Sequence, residues 1–401
     1  MYYNYKYRLE PSNPVEDRLI WTADTCRQLY NHFVHRLNRV DNTSSYSEQK
    51  RLPDLKQWWT DLQQIHSKVL QKVVQRVYDN WSMLESKKRK GHNVGELNWK
   101  GPREYRSFKY SQSGFELKNT SDRTRLSLSK IGEIPIVYHR KIPDRARIKE
   151  VVIKQELTGE WFAVLGIETD STQPKPETIE KCVGIDVGIR KYTHDTDGTA
   201  VKTLDFSDER ERLNREKHKL SRKEHGSANY RKQQRTIARR YADIKRKRRD
   251  FLHKLSAHYA QKYDLVSVES LDVRGLIESS TYSHSCASAS WGMFLQMLEY
   301  KCEREGTHFV AVNPAGTTTE CSGCGAEKDK PLSVRKHSCL SCGLEVDRDL
   351  NAAYNILFRG LDKIGVVHSE SMPAETVFPE GTESVPPKHV IETGSPEAYH
   401  T

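Results

Sequence analysis

The chain has 401 residues, enough for two or three domains with sizeable cores. Charged residues make up 30%, hydrophobic residues 36%, and the formal net charge is +11, the balance of a soluble globular protein with polar additions. No run approaches the roughly eighteen apolar residues of a membrane span, and the first eight residues, Met1 to Arg8, lack the apolar stretch of a signal peptide, so a reducing cytosol is the expected compartment.

In chain order, residues 2–9 alternate aromatic and polar side chains (Tyr3, Tyr5, Tyr7, Leu9) and read as a strand. Asn13-Pro14 opens a helical tract to about Val40, with Leu19, Ala23, Cys26, Leu29 and Phe33 on one face. A second amphipathic tract runs from about His66 to Ser86. Val69, Val73, Val77 and Trp81 form its apolar stripe, and Gln71, Lys72, Gln75 and Arg76 lie off it, suited to a groove-reading or phosphate-facing helix. Between 104 and 175 short alternating runs read as β-strands: Leu126 to Leu128, Ile134 to Tyr138, Trp161 to Leu165. Ser171 to Pro176 looks like a linker.

The pattern then becomes α/β. Lys181 to Gly188 is a strand with Asp186 at its centre, followed by a turn at Asp195 to Gly198. Residues 209–255 hold 18 Lys/Arg against 6 Asp/Glu, a local excess of 12, so the remainder is near neutral (11 − 12 = −1). One concentrated basic element is the footprint of a phosphate-binding surface, and Arg222, Lys223, Arg246, Arg248 and Arg249 are its candidate contacts. Next come a strand from Tyr263 to Leu271 with Glu269 near its end, a helix from about Ala289 to Glu303, and a strand from Thr307 to Val312. Trp291, Phe294 and Tyr300 fit core packing better than base stacking. The tail from Gly360 onward has 7 acids and 2 bases, is rich in Pro, Glu and Ser, and is expected to be disordered.

Cys321-Ser-Gly-Cys324 and Cys339-Leu-Ser-Cys342 are two pairs with the gap that lets both sulfurs of a knuckle reach one tetrahedral Zn²⁺. Gly325 and Gly343 follow each pair, where a knuckle needs a residue tolerant of positive φ. The intervening segment is polar and basic, so a metal would have to hold it. The bland reading is that such a ribbon only staples a loop, which is compatible with any function. His337 is expected to be exposed, since four cysteines fill the site; Cys26, Cys182, Cys286 and Cys302 read as ordinary buried thiols. In the following helix Asp347 is a natural N-cap and Asp349 lies in the first turn. Alone, that segment favours capping and dipole compensation over metal ligation. As a set, however, Asp186, Glu269 and Asp349 each sit in or beside an apolar run, where a carboxylate is costly unless paired or coordinated. Three such acids beside a basic arm suggest a site for hard divalent cations, Mg²⁺ or Mn²⁺, of the kind that hydrolyses phosphodiesters.

These stretches closely resemble the TnpB/OrfB family carried by insertion sequences and related to type V CRISPR effectors. The matching runs are Gly184 to Gly188, Arg248 to Ser256, Val268 to Leu271, Ala289 to Phe294 with Leu298 to Lys301, Thr317 to Gly325, and Cys342-Gly343 with Asp347 to Ile356. The likeness covers about residues 180–358 and is looser over 1–175. It implies a RuvC-like, RNase H-fold nuclease domain (180–315 and 345–360) with an inserted zinc ribbon (316–344). It also implies a wedge-like β-barrel (1–12 and 104–175) interrupted by a helical recognition lobe (13–103), with residues 361–401 left as a disordered acidic tail. By position Asp186, Glu269 and Asp349 match the catalytic acids, and Asp347 becomes a cap or supporting group. The implied protein is a guide-RNA-bound, metal-dependent endonuclease of double-stranded DNA, a monomer on its RNA, cytoplasmic and nucleoid-associated in a prokaryote. A nuclease-inactive guide-directed repressor, an accessory transposase protein and a non-catalytic zinc-ribbon scaffold are the rival readings.

Overall fold

The computed structural model describes residues 2–40, 43–120, 123–169, 173–272, 290–329, 331, 334–366 and 384–385. The chain divides into two compact units, one of residues 1–170 with 220–239 and one of 171–219 with 240–401.

In the first unit β1 (Tyr2–Leu9) leads into α1 (Asn13–Leu37), which starts with a proline in its first turn and buries Leu19, Ala23, Cys26, Leu29, Tyr30, Phe33 and Val34 at helical spacing. Short helices α2 (Ser45–Gln49) and α3 (Leu52–Trp58) and a 3₁₀ turn precede α4 (Ser67–Arg89). The buried face of α4 is Val69, Leu70, Val73, Val74, Val77 and Tyr78; Trp81, expected on that stripe, lies past the last buried residue and is 43% exposed. Strands β2 (Ser107–Ser111), β3 (Phe115–Asn119), β4 (Thr124–Leu128), β5 (Gly132–Pro135), β6 (Arg147–Gln155) and β7 (Trp161–Glu168) follow. They form two antiparallel sheets, β1-β7-β6-β2 and β3-β4-β5, linked by a bridge between Leu9 and Ile136, over one apolar core shared with α1 and α4.

The second unit is built on a sheet of order β12-β11-β8-β9-β10-β15. Its strands are β8 (Cys182–Val187), β9 (Lys191–Asp195), β10 (Ala200–Lys202), β11 (Leu265–Glu269), β12 (His308–Val312) and β15 (Ser384–Val385). β8 and β9 make an antiparallel hairpin, and β11 runs parallel to both β8 and β12. The basic tract forms two helices, α5 (Ser207–Ser221) and α6 (Ala228–Lys262), and α6 carries residues of both units. The expected single element is broken over residues 222–227, a stretch that includes Gly226 at a φ of +79°. α7 (Trp291–Glu305) precedes β12; a small ribbon β13 (Lys336–Ser338) and β14 (Glu345–Asp347) precedes α8 (Arg348–Lys363).

Two apolar layers sandwich this sheet. Ile185, Val266 and Val268 pack with Leu252, Leu255 and Tyr259 of α6 and with Phe294 and Leu298 of α7. On the opposite face Leu265, Val310 and Val312 pack with Ile356, Leu357 and Leu361 of α8. Trp291 and Phe294 are buried and Tyr300 packs against the same cluster, as core residues. Cys26 and Cys302 are buried, and burial pushes each thiol up to about 12. Cys182 is half-buried; Cys286 lies outside the described residues. Gln173 to Pro176 of the expected linker is engaged, with Gln173 N donating to Arg304 O and the His308 ring meeting Pro176 O. The helix α8 continues to Lys363, past the expected start of the tail at 361; residues 367–383 and 386–401 lie outside the described residues.

Candidate functional site

Strand periodicity determines where the acids point. In β11 Val266 and Val268 face α6 and α7, so Leu265, Ser267 and Glu269 face α8. Ser267 proves the direction, since its Oγ donates to Ile356 O at 2.7 Å. In β8 the same alternation turns Cys182, Gly184 and Asp186 toward α8. A Cβ at Gly184 would lie 2.1 Å from Ala353 O, so only glycine lets α8 approach this strand. Asp186 lies two residues beyond Gly184, about 6.6 Å along the strand. Asp349 lies four residues before Ala353, about 6 Å back along the helix. The two displacements match, and α8 delivers Asp349 to the strand ends. The register Val268↔Ile185 places Glu269 beside Asp186 at the same ends.

The electrostatics agree with this convergence. Asp186 is held well above the ordinary carboxylate range by burial, then by the charges of Glu269 and Asp349, with Asp347 a smaller influence. Glu269 is also raised by burial, against a hydrogen bond from Thr317 Oγ1 to its Oε1 at 2.5 Å and the charge of Arg359. Carboxylates gathered in this way favour bound cations.

Asp347 has a different environment. Its Oδ1 accepts from the backbone N–H groups of Asp349 (2.9 Å) and Leu350 (3.4 Å), making it the N-cap of α8. Its Oδ2 lies 2.9 Å from Lys191 Nζ, and His194 Nδ1 lies 3.4 Å from Oδ1. Burial opposes ionisation, but His194 and Lys191 outweigh it and hold Asp347 well below the usual carboxylate range. Asp349 is farther from cations, 3.9 Å from Lys191 and 3.9 Å from Arg335. His194, Asp347 and Asp349 offer ligand atoms within 4.8 Å of one another. His194 is the cross-strand partner of Asp186 and is buried; neither it nor Lys191 is singled out by sequence, because their proximity depends on the β8–β9 register.

The four cysteine sulfurs also form one cluster, with Sγ–Sγ distances of 3.6 Å for Cys321–Cys342 and for Cys324–Cys339. Gly325 N donates to Cys321 O and Gly343 N to Cys339 O, and their φ values of +73° and +76° are those the knuckles require. His337 is 1% exposed, contrary to the expectation of an exposed ring, because β13–β14 pairing turns it inward opposite Val346.

The candidate nucleic-acid contacts separate into groups. Lys72, Gln75 and Arg76 line a cleft of about 280 Å³ with Tyr105, Ser107, Phe108 and Lys109. Lys72 Nζ donates to Gln75 Oε1 at 2.7 Å, and Arg76 covers the Tyr105 ring at 4.7 Å. Gln71 is half-buried and outside that lining. Arg222 is exposed and Lys223 half-buried, between α5 and α6. Arg246 joins Arg212, Arg240 and Lys247, with Glu209 and Asp243, around a cleft of about 280 Å³ between α5 and α6. Arg249 is exposed, with Nε 3.3 Å from His253 Nε2. Arg248 is half-buried, with its guanidinium 5.3 Å from the Phe206 ring.

Family models match three stretches: "Cas12f1-like, TNB domain" over residues 291–356, "Probable transposase" (OrfB_IS605) over 164–280, and "Helix-turn-helix domain" (HTH_OrfB_IS605) over 1–40. The last stretch folds here as β1 and α1. A Streptomyces pristinaespiralis protein named "Putative RNA-guided DNA endonuclease" is 31% identical over 375 residues, 89% of each chain. The Escherichia coli (strain K12) protein "Putative RNA-guided DNA endonuclease InsQ" is 26% identical over 379 residues, covering 89% of this chain and 92% of its own. Among solved structures, a chain of a Cas12f1–sgRNA–target DNA complex has a TM-score of 0.56 at 13% identity, with 86% of this chain and 83% of that one covered. The mini RNA-guided endonuclease CRISPR-Cas_phi3 has a TM-score of 0.51 at 10% identity, with 90% and 92% covered. At these identities the likeness is one of fold. Among the described residues no helix is long and apolar enough to cross a membrane.

Proposed function

The chain belongs to the TnpB/OrfB family, and from that premise we propose that it is an RNA-guided, divalent-metal-dependent endonuclease of double-stranded DNA. What supports the proposal is that β8, β11 and α8 bring Asp186, Glu269 and Asp349 toward one end of the sheet, near enough for Glu269 and Asp349 to raise Asp186, although their ligand atoms do not all lie within the 4.8 Å that groups His194, Asp347 and Asp349. In this reading the six-stranded sheet with α6, α7 and α8 is the RuvC-like, RNase H-type nuclease domain, and the cysteine cluster is its inserted zinc ribbon. The two antiparallel sheets of the first unit are the wedge barrel, and α1 to α4 the recognition lobe.

Asp186, Glu269 and Asp349 would hold Mg²⁺ or Mn²⁺; carboxylates at the ends of rigid elements suit hard cations with oxygen ligands. Such ions, when bound, would supply activation of the attacking water and stabilisation of the leaving oxygen. The protein's own contribution is placement. Gly184 sets the approach of α8, and Asp347 fixes the start of the helix while Lys191 and His194 balance its charge. Asp347 caps α8 and pairs with Lys191 and His194, which supports Asp349 as the third ligand.

The four cysteines would hold one Zn²⁺. A tetrahedron with Zn–S bonds of ~2.3 Å has edges of about 3.8 Å, close to the 3.6 Å sulfur separations. Disulfides are excluded at that distance, since bonded sulfurs lie about 2.05 Å apart. Lys72, Gln75 and Arg76 on α4, Arg222 and Lys223 between α5 and α6, and Arg246 and Arg249 on α6 are assigned to nucleic-acid contact; Arg248 supports α6 against Phe206. Sequence would be read by guide pairing and a short flanking motif. The test is to purify the full chain, sequence the RNA that copurifies, and challenge the complex with duplexes that match it or do not, in Mg²⁺. Cleavage confined to matching duplexes is expected. Absence of a defined RNA, or cleavage indifferent to the match, contradicts the proposal.

A further inference from the structure

Thr317 occupies a position between the two candidate metal centres of the second unit. It is 1% exposed, and its Oγ1 lies 2.5 Å from Glu269 Oε1 and 3.0 Å from Pro314 O. A hydroxyl has one proton, and the carboxylate is the stronger acceptor of the two, so the proton goes to Glu269. The backbone of Thr317 is itself held. Asn355 Nδ2 donates to Thr317 O and to Glu320 O, both at 2.9 Å. Asn351 Nδ2 donates to Glu320 O at 2.7 Å, and its Oδ1 accepts from Ser322 N at 2.9 Å. Arg359 closes the set with an ion pair to Glu320 at 2.7 Å. All three side chains belong to α8, the helix that carries Asp349. The segment entering the cysteine cluster at Cys321 is thus fastened to the helix of one acid and, through one hydroxyl, to the carboxylate of another.

We propose that Thr317 is a positioning residue for Glu269, whose hydroxyl fixes the carboxylate for divalent-ion binding. The inference rests on the reading of Asp186, Glu269 and Asp349 as a metal site. Outer partners of metal ligands restrict ligand rotation and typically contribute about 10–100-fold in metal affinity. Nothing in composition or spacing signals this role: the threonine lies 48 residues from its carboxylate partner.

The test uses the full chain with Mn²⁺ alone, its binding followed by electron paramagnetic resonance, and cleavage measured separately. Thr317→Val keeps the side-chain shape and removes the donor; Thr317→Ser keeps the donor. The valine variant is expected to bind Mn²⁺ at least about tenfold more weakly, with unchanged zinc content, and the serine variant to return to within about twofold of the parent. Wild-type Mn²⁺ affinity in Thr317→Val, or equal weakening in Thr317→Ser, overturns the proposal. If zinc content shows that the valine variant is misfolded, Thr317→Ala, which adds no atoms, takes its place under the same criteria. Glu269→Gln separates the two levels. Should it bind Mn²⁺ like the parent, the acid site itself is misassigned and this inference falls with it. Should it weaken binding while the donorless Thr317 variant does not, only the role of Thr317 falls.

Discussion

The cysteine cluster and the acid cluster lie in the same unit and are built by opposite means. The four sulfurs come from one short stretch, 321–342, whose two knuckles each need only a local turn and a glycine at positive φ. The carboxylates come from residues 186, 269 and 349 and are brought toward one another only because β11 runs parallel to β8 and α8 packs against β8 at a glycine. A metal can organise the first almost unaided; the second is imposed by the core on both faces of the sheet. Disturbing the first should therefore lose metal and local order, and disturbing the second should lose chemistry while the fold persists.

The largest expected effect separates Asp349 from Asp347. Asp349→Ala removes a proposed ligand and should reduce DNA cleavage to background. Asp347→Ala removes a cap and should cost about 1 kcal/mol of stability, with cleavage retained. Thermal melting and a cleavage time course on the two variants check this; the reverse pattern would exchange their roles. Next in size is the cysteine cluster. Cys342→Ser should lower bound zinc and open residues 316–344 to protease while the sheet stays folded, read by metal analysis and limited proteolysis. Full zinc occupancy in a Cys321/Cys324 double substitution would remove the assignment. Smaller again is the basic surface. Neutralising Arg246 and Arg249 should weaken nucleic-acid binding across sequences and flatten its salt dependence by about one slope unit per lost contact. Arg248→Ala should instead act mainly through stability, because its guanidinium packs on Phe206. An unchanged salt slope for Arg246 and Arg249 would make them a solvated face.

What could be read from the sequence follows the same division. The knuckle glycines, the N-cap Asp347 and the apolar stripe of α8 are local signals, and each has the geometry that its spacing implies. The three acids were legible as candidates through their apolar surroundings and through family likeness. Lys191, His194 and Thr317 were not, since their meaning depends on strand register and on a loop folding back. His337 is buried although its polar neighbours in sequence imply exposure, because the pairing of β13 with β14 turns it inward. The break in the basic tract did leave a signal, Gly226, between the two helices.

The most direct test of the central claim is single-turnover cleavage of a guide-matched duplex by Asp186→Ala, with target binding measured on the same preparation. The account predicts that binding persists near the parental level while cleavage disappears, because the substitution removes a metal ligand and leaves the basic helices intact. Cleavage at the parental rate would contradict it.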